Sequence, residues 1–182
     1  MIAHIHDATL ELVQGDITEQ EVDVLVNAAN RHLAGGAGAD GAIHSRGGPA
    51  IMRETRRRYP EGCPTGSAVI SEAGGLPAKY VLHAVGPIWN DGQEQEAELL
   101  ANAHRKCLEL AVEKDCDSIA FPAISTGVYG YPIDQAARVA LKEVIQFLNE
   151  HGKPGLVRFV LFDSRAFSQF AQVLGELVEA IT

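Results

Sequence analysis

Residues 22–41 read VDVLVNAANRHLAGGAGADG, an apolar run that passes through a polar segment into a cluster of glycines. The first five residues are almost all apolar, which is typical of a strand covered on both faces of a sheet. Two amides, Asn27 and Asn30, stand where that strand is expected to end. Because ligands of α/β proteins bind outside the carboxyl ends of parallel strands, this junction is a candidate site.

Strands and helices alternate along the rest of the chain. Apolar runs predict strands at residues 8–13, 68–73, 79–85, 118–121 and 156–162, and residues 18–21 fit a capping box that starts a short helical turn. Helical spacing predicts helices from near Ala39, at residues 49–58 and 94–114, from Pro132, and at the end of the chain, where Phe167 to Ile181 supply the apolar positions. This order predicts a largely parallel sheet with helices on both faces.

Composition limits the class of protein. The 182 residues, 46% of them hydrophobic, predict one globular domain spanning residues 1–182. With 24 acidic and 15 basic side chains, the formal charge of −9 argues against a broad nucleic-acid surface. No apolar run approaches the roughly 20 residues that span a bilayer, and no signal peptide is recognisable. Three cysteines without metal-like spacing predict a cytoplasmic protein with no metal site.

The glycine cluster contains Gly36, Gly38 and Gly41, which match the dinucleotide-binding string GxGxxG. The context does not match, because that motif needs its glycines directly after the strand. Glycines at the start of a helix still allow backbone N–H groups to hold a phosphate without a lysine. A second such loop, STGVYGYP at residues 125–132, suits the other half of a diphosphate. The alternative for the glycine cluster is a flexible surface loop.

Several polar residues beside these loops have two interpretations each. Asn27 and Asn30 suit a turn, although a turn needs only one of them. Asp40 is either a favourable carboxylate at a helix N-terminus or the group that orients a water beside a bound phosphate. Asp16 belongs to a plain turn or accepts a hydrogen bond from the amino group of a base. His83, like His44, is more typical of a histidine with its hydrogen bonds satisfied in the core.

Seven segments, in order, resemble the macrodomain family, and within it the MacroD-type ADP-ribosyl-hydrolase branch. The likeness runs from Leu12 to Asp163. Its segments are GDIT at 15–18, VNAAN at 26–30, GGAGADGAIH at 35–44, CPTG at 63–66, LPAKY at 76–80, HAVGP at 83–87 and FPAISTGVYGYP at 121–132.

The resemblance implies a three-layer α/β/α fold that binds ADP-ribose. It implies that Asp16, with Ile17 beside it, binds the adenine amino group, and that Asn30 and Tyr129 contact the distal ribose. The remaining ligand-binding residues that it implies are Asn27, Gly36, Gly38, Ala39, Ser125, Thr126, Gly127 and Val128.

The implied reaction is hydrolysis of the bond between the distal ribose and an acidic side chain of a modified protein, with Asn30 and Asp40 as catalytic residues. Asp40 and a ligand phosphate would position the water, without metal or organic cofactor. The implied partners are ADP-ribose, O-acetyl-ADP-ribose, which this branch deacetylates, and mono-ADP-ribosylated proteins, bound by a monomer. The alternative is a reader module that binds ADP-ribose without turnover. Readers often lack the loop aspartate, so Asp40 favours an enzyme.

One departure from the family pattern concerns the glycine loop. Ala37 and Ala39 stand where the family usually has a glycine and a valine. A methyl group at Ala37 would limit how closely a substituent on the distal ribose can approach.

Overall fold

A computed structural model describes residues 1–180, and these residues form seven strands, five helices and one short 3₁₀ helix. The strands are β1 (Ile2–Ile5), β2 (Ala8–Gln14), β3 (Val24–Ala29), β4 (Ala68–Glu72), β5 (Tyr80–Val85), β6 (Ser118–Phe121) and β7 (Leu156–Leu161). The helices are α1 (Gly38–Gly47), α2 (Pro49–Arg58), α3 (Glu96–Glu113), α4 (Ile133–His151) and α5 (Ser164–Glu179), and the 3₁₀ helix is Ile17–Glu19. Within these residues no helix is both long enough and apolar enough to span a membrane.

The strands form one sheet in the order β1-β2-β7-β6-β3-β5-β4. The five inner strands are parallel to one another, and the edge strands β1 and β4 pair antiparallel with their neighbours. The predicted mixed, largely parallel sheet is therefore confirmed. All five inner strands consequently end at the same edge of the sheet.

Helices cover both faces of the sheet because the inner strands are apolar on both sides. On one face Phe121 and Phe159, with ring centroids 5.2 Å apart, pack against residues of α3, α4 and α5. On the other face Leu25 packs with Ile43 of α1 and Ile51 of α2. The alternation of side chains along β3 sends Val24 and Val26 to the first face and Leu25 to the second. The three-layer α/β/α arrangement is confirmed.

The neighbouring strands β3 and β6 pair over only two residues each, at Val24–Leu25 and Ile119–Ala120. After β3 the chain passes to α1 on one face, and after β6 it passes to α4 on the other. Adjacent parallel strands whose connections leave in opposite directions create a ligand crevice at their carboxyl ends.

Most predicted elements lie where the sequence placed them, and α2 and β6 have the predicted bounds. The strand predicted at residues 22–26 begins at Val24 and continues to Ala29, so Asn27 lies inside it. The capping residue of the first turn is Asp16 rather than Thr18, because the Asp16 carboxylate accepts a hydrogen bond from the Thr18 amide.

Three further elements differ at the ends of the chain or of the sheet. β1 was not predicted, because its four residues, which include the exposed His4, are too few to show a clear alternation of apolar and polar side chains. The last strand ends at Leu161, one residue before its predicted end, which leaves Phe162 outside the sheet. Ile181, predicted as part of the last helix, lies outside the described residues.

The junction between α1 and α2 depends on close backbone contact with the loop after β4. Gly75 donates a hydrogen bond to the Gly47 carbonyl over 2.9 Å. Gly74 has a φ of +56°, and a Cβ atom there would lie 2.2 Å from the same carbonyl oxygen. Gly152 has a similar φ of +68° but no atom within 4 Å of such a Cβ.

We predict that Gly74→Ala destabilises the protein more than Gly152→Ala does. The left-handed backbone costs each alanine about 1–2 kcal/mol. The clash at position 74 adds roughly 1–3 kcal/mol, the usual cost of overpacking. Urea unfolding of both variants measures this difference, and equal losses of stability would show that the loop moves away from Gly47 without cost.

Candidate functional site

The carboxyl ends of the five parallel strands bring the predicted site residues to one edge of the sheet. Asp16 follows β2, Asn30 follows β3 and Gly86 follows β5. Ser125 lies four residues after β6, and Phe162 directly follows β7. The two glycine-containing loops, residues 30–37 and 125–131, lie on either side of the crevice between β3 and β6.

The loop of residues 30–37 leads into the N-terminus of α1. Gly35 and Gly38 have φ values of +80° and +60°, which favour glycine. Gly41 packs so closely on the loop that a Cβ there would lie 2.7 Å from the Gly36 carbonyl oxygen. The N-cap residue, Ala37, supplies no side-chain hydrogen bond, so the first N–H groups of α1 have no side-chain cap. The exposed Gly36 and Gly38 thus flank a helix N-terminus suited to an anion.

Both the nitrogen and the oxygen of the Asn30 side-chain amide make hydrogen bonds to the backbone of this loop. Its Nδ2 donates to the Gly35 carbonyl over 2.9 Å, and its Oδ1 accepts from the amides of His32 and Ala34 over 3.2 and 3.1 Å. These hydrogen bonds are the ones expected if Asn30 stabilises a turn, which was one of its two interpretations from the sequence. Direct contact between Asn30 and a ligand stays a prediction.

The second loop, residues 125–131, contains a buried hydroxyl without a partner. Ser125 has a φ of +69°, and its Oγ makes no hydrogen bond to any described residue. A Cβ at Gly86 would lie 2.2 Å from this oxygen, so the end of β5 approaches the loop as closely as glycine allows. The Thr126 hydroxyl donates to the Ala123 carbonyl over 2.8 Å, which closes the start of the loop.

The tip of the second loop faces solvent. Gly127 is exposed, and Val128 is 94% exposed. Tyr129 is half-buried, and its carbonyl accepts a hydrogen bond from the Trp89 amide over 2.9 Å. The loop is therefore held at its base and presents its tip to the crevice opening.

Asp16 lies at the far end of this edge as a charged acceptor. Its Oδ1 accepts from the Thr18 hydroxyl over 2.6 Å and from the Thr18 amide over 2.8 Å, and these bonds lower the pKa of the carboxyl. Its Oδ2 lies 3.9 Å from an Arg46 nitrogen. Ile17 beside it is buried. The position leaves Oδ2 as the acceptor for an incoming N–H group.

Phe162, which the sequence predicts as part of the last strand, lies near Asp16 at this edge of the sheet and is a further candidate for the site. It is 86% exposed, and Leu161 before it accepts a hydrogen bond from the amide of Gly15, the neighbour of Asp16. An exposed aromatic ring next to a hydrogen-bonding carboxylate is suited to stack on a planar base. The signal was available, because Asp163 caps α5 and a helix cap at that position ends the strand earlier.

Asp40, in the first turn of α1, is 6% exposed, and its carboxylate is hydrogen-bonded on the side that faces the core. Its Oδ1 accepts from Asn27 Nδ2 over 2.9 Å and lies 3.3 Å from His44 Nε2. Its Oδ2 faces the glycine loop, 3.3 Å from where a Cβ at Gly36 would be. Asn27 itself is completely buried and its amide nitrogen donates to Asp40, so its contact with a ligand stays a prediction.

His83 continues this chain of hydrogen bonds into the core. Its Nδ1 lies 3.1 Å from Asn27 Nδ2, and its Nε2 lies 2.8 Å from the Ser71 hydroxyl. An amide nitrogen only donates, so Nδ1 accepts and the proton is on Nε2. Burial lowers the pKa of His83 to about 4, which keeps the ring neutral. His83 therefore holds the Asn27 nitrogen toward Asp40, and its predicted place in the core is confirmed.

The described residues contain no group of three or more His, Cys, Asp or Glu side chains arranged for a metal ion. The three cysteines, Cys63, Cys107 and Cys116, are buried free thiols.

Comparisons with known proteins agree with the fold. A family model described as Macro domain matches residues 26–140. An O-acetyl-ADP-ribose deacetylase of Cronobacter sakazakii is 49% identical over 173 residues, covering 93% of this chain and 96% of that protein. A protein of the same name from Salmonella typhimurium is 51% identical over 167 residues, covering 91% of this chain and 93% of that protein.

Two solved structures are similar in fold. The Oceanobacillus iheyensis macrodomain with ADP has a TM-score of 0.94 and 48% identity, over 99% of this chain and 97% of that one. The Trypanosoma brucei macrodomain in complex with ADP-ribose has a TM-score of 0.85 and 38% identity, over 91% of this chain and 69% of that one.

We predict that stability falls as the pH is lowered from about 6.5 toward about 5, because His83 and His104 stay neutral in the folded protein. Burial lowers the pKa of each from 6.5 to about 4, so the unfolded chain binds protons that the folded chain does not. Each histidine adds up to about 1.4 kcal/mol per pH unit to this slope. His104→Leu, in urea unfolding across this range, should show a smaller slope than the wild type. An unchanged slope would mean that His104 is protonated in the fold.

Proposed function

The chain belongs to the macrodomain family, and from this premise we propose that it binds ADP-ribose at the edge of the sheet and hydrolyses O-acetyl-ADP-ribose. The observation that carries the proposal is the placement of Asp40. Its carboxylate is nearly buried, anchored through Oδ1 by Asn27, and turned through Oδ2 to the glycine loop at an uncapped helix N-terminus. A fixed acceptor beside a phosphate site is what hydrolysis with a positioned water requires.

The groups along this edge of the sheet favour one orientation of ADP-ribose, with the adenine at one end and the distal ribose at the other. The adenine takes the end with Asp16 and Phe162, where Asp16 Oδ2 accepts from the amino group and the exposed ring stacks on the base. The diphosphate lies between the N-terminus of α1 and the loop of residues 125–131. The distal ribose then lies beside Asp40 and Tyr129. Backbone N–H groups and the positive end of the helix dipole stabilise the phosphate charge there.

The chemical step needs an acceptor for the attacking water and compensation for developing charge. Asp40 Oδ2 and a phosphate oxygen of the ligand accept hydrogen bonds from the water and aim its lone pair at the electrophilic carbon. In O-acetyl-ADP-ribose that carbon is the ester carbonyl carbon. Its bond to the ribose oxygen breaks with the electron pair on that oxygen, which takes a proton from the attacking water, so that acetate and ADP-ribose are formed. The Asn27–His83–Ser71 chain keeps Asp40 in one orientation, so the carboxylate does not need to reorganise during the reaction.

We propose that the same site also removes single ADP-ribosyl groups from acidic side chains of proteins. Water would then attack the anomeric carbon of the distal ribose, and the bond to the carboxylate oxygen would break with its electron pair on the leaving carboxylate. The bound diphosphate stabilises the positive charge that develops on the ribose. The exposed Gly36 to Gly38 and the exposed tip at Val128 support this, because they leave the distal end of the crevice open to a large substituent.

The wider expectations follow from the same features. We propose a single macrodomain over residues 1–182, acting as a monomer without metal or organic cofactor. One sheet covered by helices on both faces supports the single domain. The three free thiols support a reducing compartment such as the cytoplasm. The net charge of −9 argues against nucleic acid as a ligand.

We predict that Asp40→Ala abolishes turnover of O-acetyl-ADP-ribose while ADP-ribose binding stays near micromolar, about −8 kcal/mol. Acetate release and calorimetry measure the two quantities. The matched control is Asp134→Ala, which removes an exposed carboxylate from the first turn of α4 and should leave both unchanged. Full turnover by Asp40→Ala would disprove the role of Asp40. Binding without turnover by the wild type would favour the reader module.

We predict that Phe162→Ala and Asp16→Ala each weaken binding of ADP-ribose but not of ribose 5-phosphate. Loss of base stacking costs roughly 1–3 kcal/mol, which is about tenfold or more in affinity. The control is Ile2→Ala, an exposed apolar residue on edge strand β1. Titration of both ligands against each variant decides the question, and equal losses for the two ligands would remove adenine recognition from this end of the site.

A further inference from the structure

Positive charge is concentrated in one segment of this acidic chain. Residues 31–58 carry six of the 15 basic side chains and only two of the 24 acidic ones. All six are arginines. This segment comprises most of the loop after β3 together with helices α1 and α2.

We use the name α2 arginine face for four of these arginines: Arg31 in the loop after β3, and Arg53, Arg56 and Arg57 on successive turns of α2. All four are exposed, and none makes a salt bridge with any residue from 1 to 180. Arg58 differs, because it pairs with Glu54 over 2.8 Å and donates to the Ile70 carbonyl. Arg53 and Arg57 line a hollow together with Glu54 and Glu72, and Glu54 is already paired with Arg58. Because none of the four arginines is itself in a salt bridge, their guanidinium groups remain available for a partner.

The α2 arginine face lies beside the loop assigned to the distal ribose. The Met52 methyl is 3.1 Å from the position of a Cβ at Gly35, and Arg56 is one helical turn further along the same side of α2. The chain after α2 then returns to the loop, where the Cys63 amide donates to the Arg31 carbonyl over 2.8 Å. α2 therefore flanks the end of the crevice from which a substituent on that ribose extends.

We propose that the α2 arginine face binds acidic residues of the polypeptide that carries the ADP-ribosyl group. This inference rests on the proposed function, and it adds a preference for modified carboxylates with Asp or Glu as near neighbours in sequence. Guanidinium groups bind carboxylates through paired hydrogen bonds. They also attract an acidic partner before contact, which raises its rate of association. O-acetyl-ADP-ribose has no polypeptide and gains nothing from this surface.

A polypeptide fits this surface better than a nucleic acid does. The rest of the chain carries 22 of the 24 acidic side chains, so a long polyanion would meet repulsion beyond α2. A short acidic segment tethered by its ADP-ribose does not need to extend beyond α2.

The experiment compares three substrates with two matched variants. The substrates are O-acetyl-ADP-ribose and two peptides that carry the same ADP-ribosyl-glutamate, one flanked by Asp and Glu and one flanked by Ser and Gly. The test variant is Arg53→Glu/Arg56→Glu/Arg57→Glu. The control variant is Lys114→Glu/Lys142→Glu/Lys153→Glu, which changes the net charge equally at exposed lysines outside any salt bridge of residues 1–180.

For the wild type we expect a higher kcat/KM on the acid-flanked peptide than on the neutral one, with the advantage decreasing as salt is added. The test variant should lose about tenfold in kcat/KM on the acid-flanked peptide, a typical effect of reversing charges at an interface. Its activity on O-acetyl-ADP-ribose should stay within about twofold of the wild type. The control variant should keep the preference for the acid-flanked peptide. Circular dichroism of each variant verifies that it folds.

Several results would overturn the proposal. One is equal activity of the wild type on the two peptides, and another is an equal loss for both triple variants, which would indicate net charge alone. Tight binding of a fluorescent oligonucleotide, abolished by the test variant while peptide preference persists, would assign the surface to nucleic acid instead.

Failure of the proposed function would look different. If the wild type turned over none of the substrates, binding would still decide whether the surface favours acidic flanks. Fluorescence anisotropy would then measure how tightly the wild type and the test variant bind the two peptides and free ADP-ribose. Equal affinities for the two peptides would then reject it.

Discussion

The parallel alignment of five strands is the constraint on which the rest of this structure depends. Parallel strands need crossover connections, and these place helices on both faces of the sheet. Because β3 continues to α1 on one face and β6 to α4 on the other, the two strands separate beyond Ala120. The crevice is thus a product of topology, and the two loops proposed to bind phosphate lie beside it because each belongs to the connection that follows one of these strands.

A second level of organisation holds the carboxylate of Asp40 at this crevice. Its position comes from the first turn of α1, but its orientation comes from β3, β5 and β4 through Asn27, His83 and Ser71. Burial keeps His83 neutral, and this determines which atoms donate in the hydrogen-bond chain, since a neutral His83 can accept at Nδ1 only if its proton is on Nε2. The core of the sheet therefore sets the geometry of a group at its edge, which is the usual way that a rigid scaffold orients a site.

The sequence predicted the fold class, most elements and the loops of the site because these depend on local patterns. Apolar runs and glycine clusters are readable within a few residues, and α2 and β6 were predicted to the residue. The hydrogen-bond chain was not predicted, because Asn27 and His83 are 56 positions apart and no spacing rule connects them. Phe162 was assigned to a strand for a different reason: it continues an apolar run, and that run outweighed the sign that the capping residue Asp163 gives of an earlier strand end.

The proposed anion-binding part of the crevice is made of main chain, at the start of α1 and in the loop of residues 125–131. A side-chain substitution elsewhere leaves these amide groups in place, so affinity for the diphosphate would be separable from the chemistry proposed at Asp40 and from the base recognition proposed at Phe162. Evolution can then change one of these properties at a time. On the proposed mechanism, replacing Asp40 removes the group that positions the water but leaves the nucleotide site intact, so one substitution would turn a catalyst into a receptor for the same nucleotide.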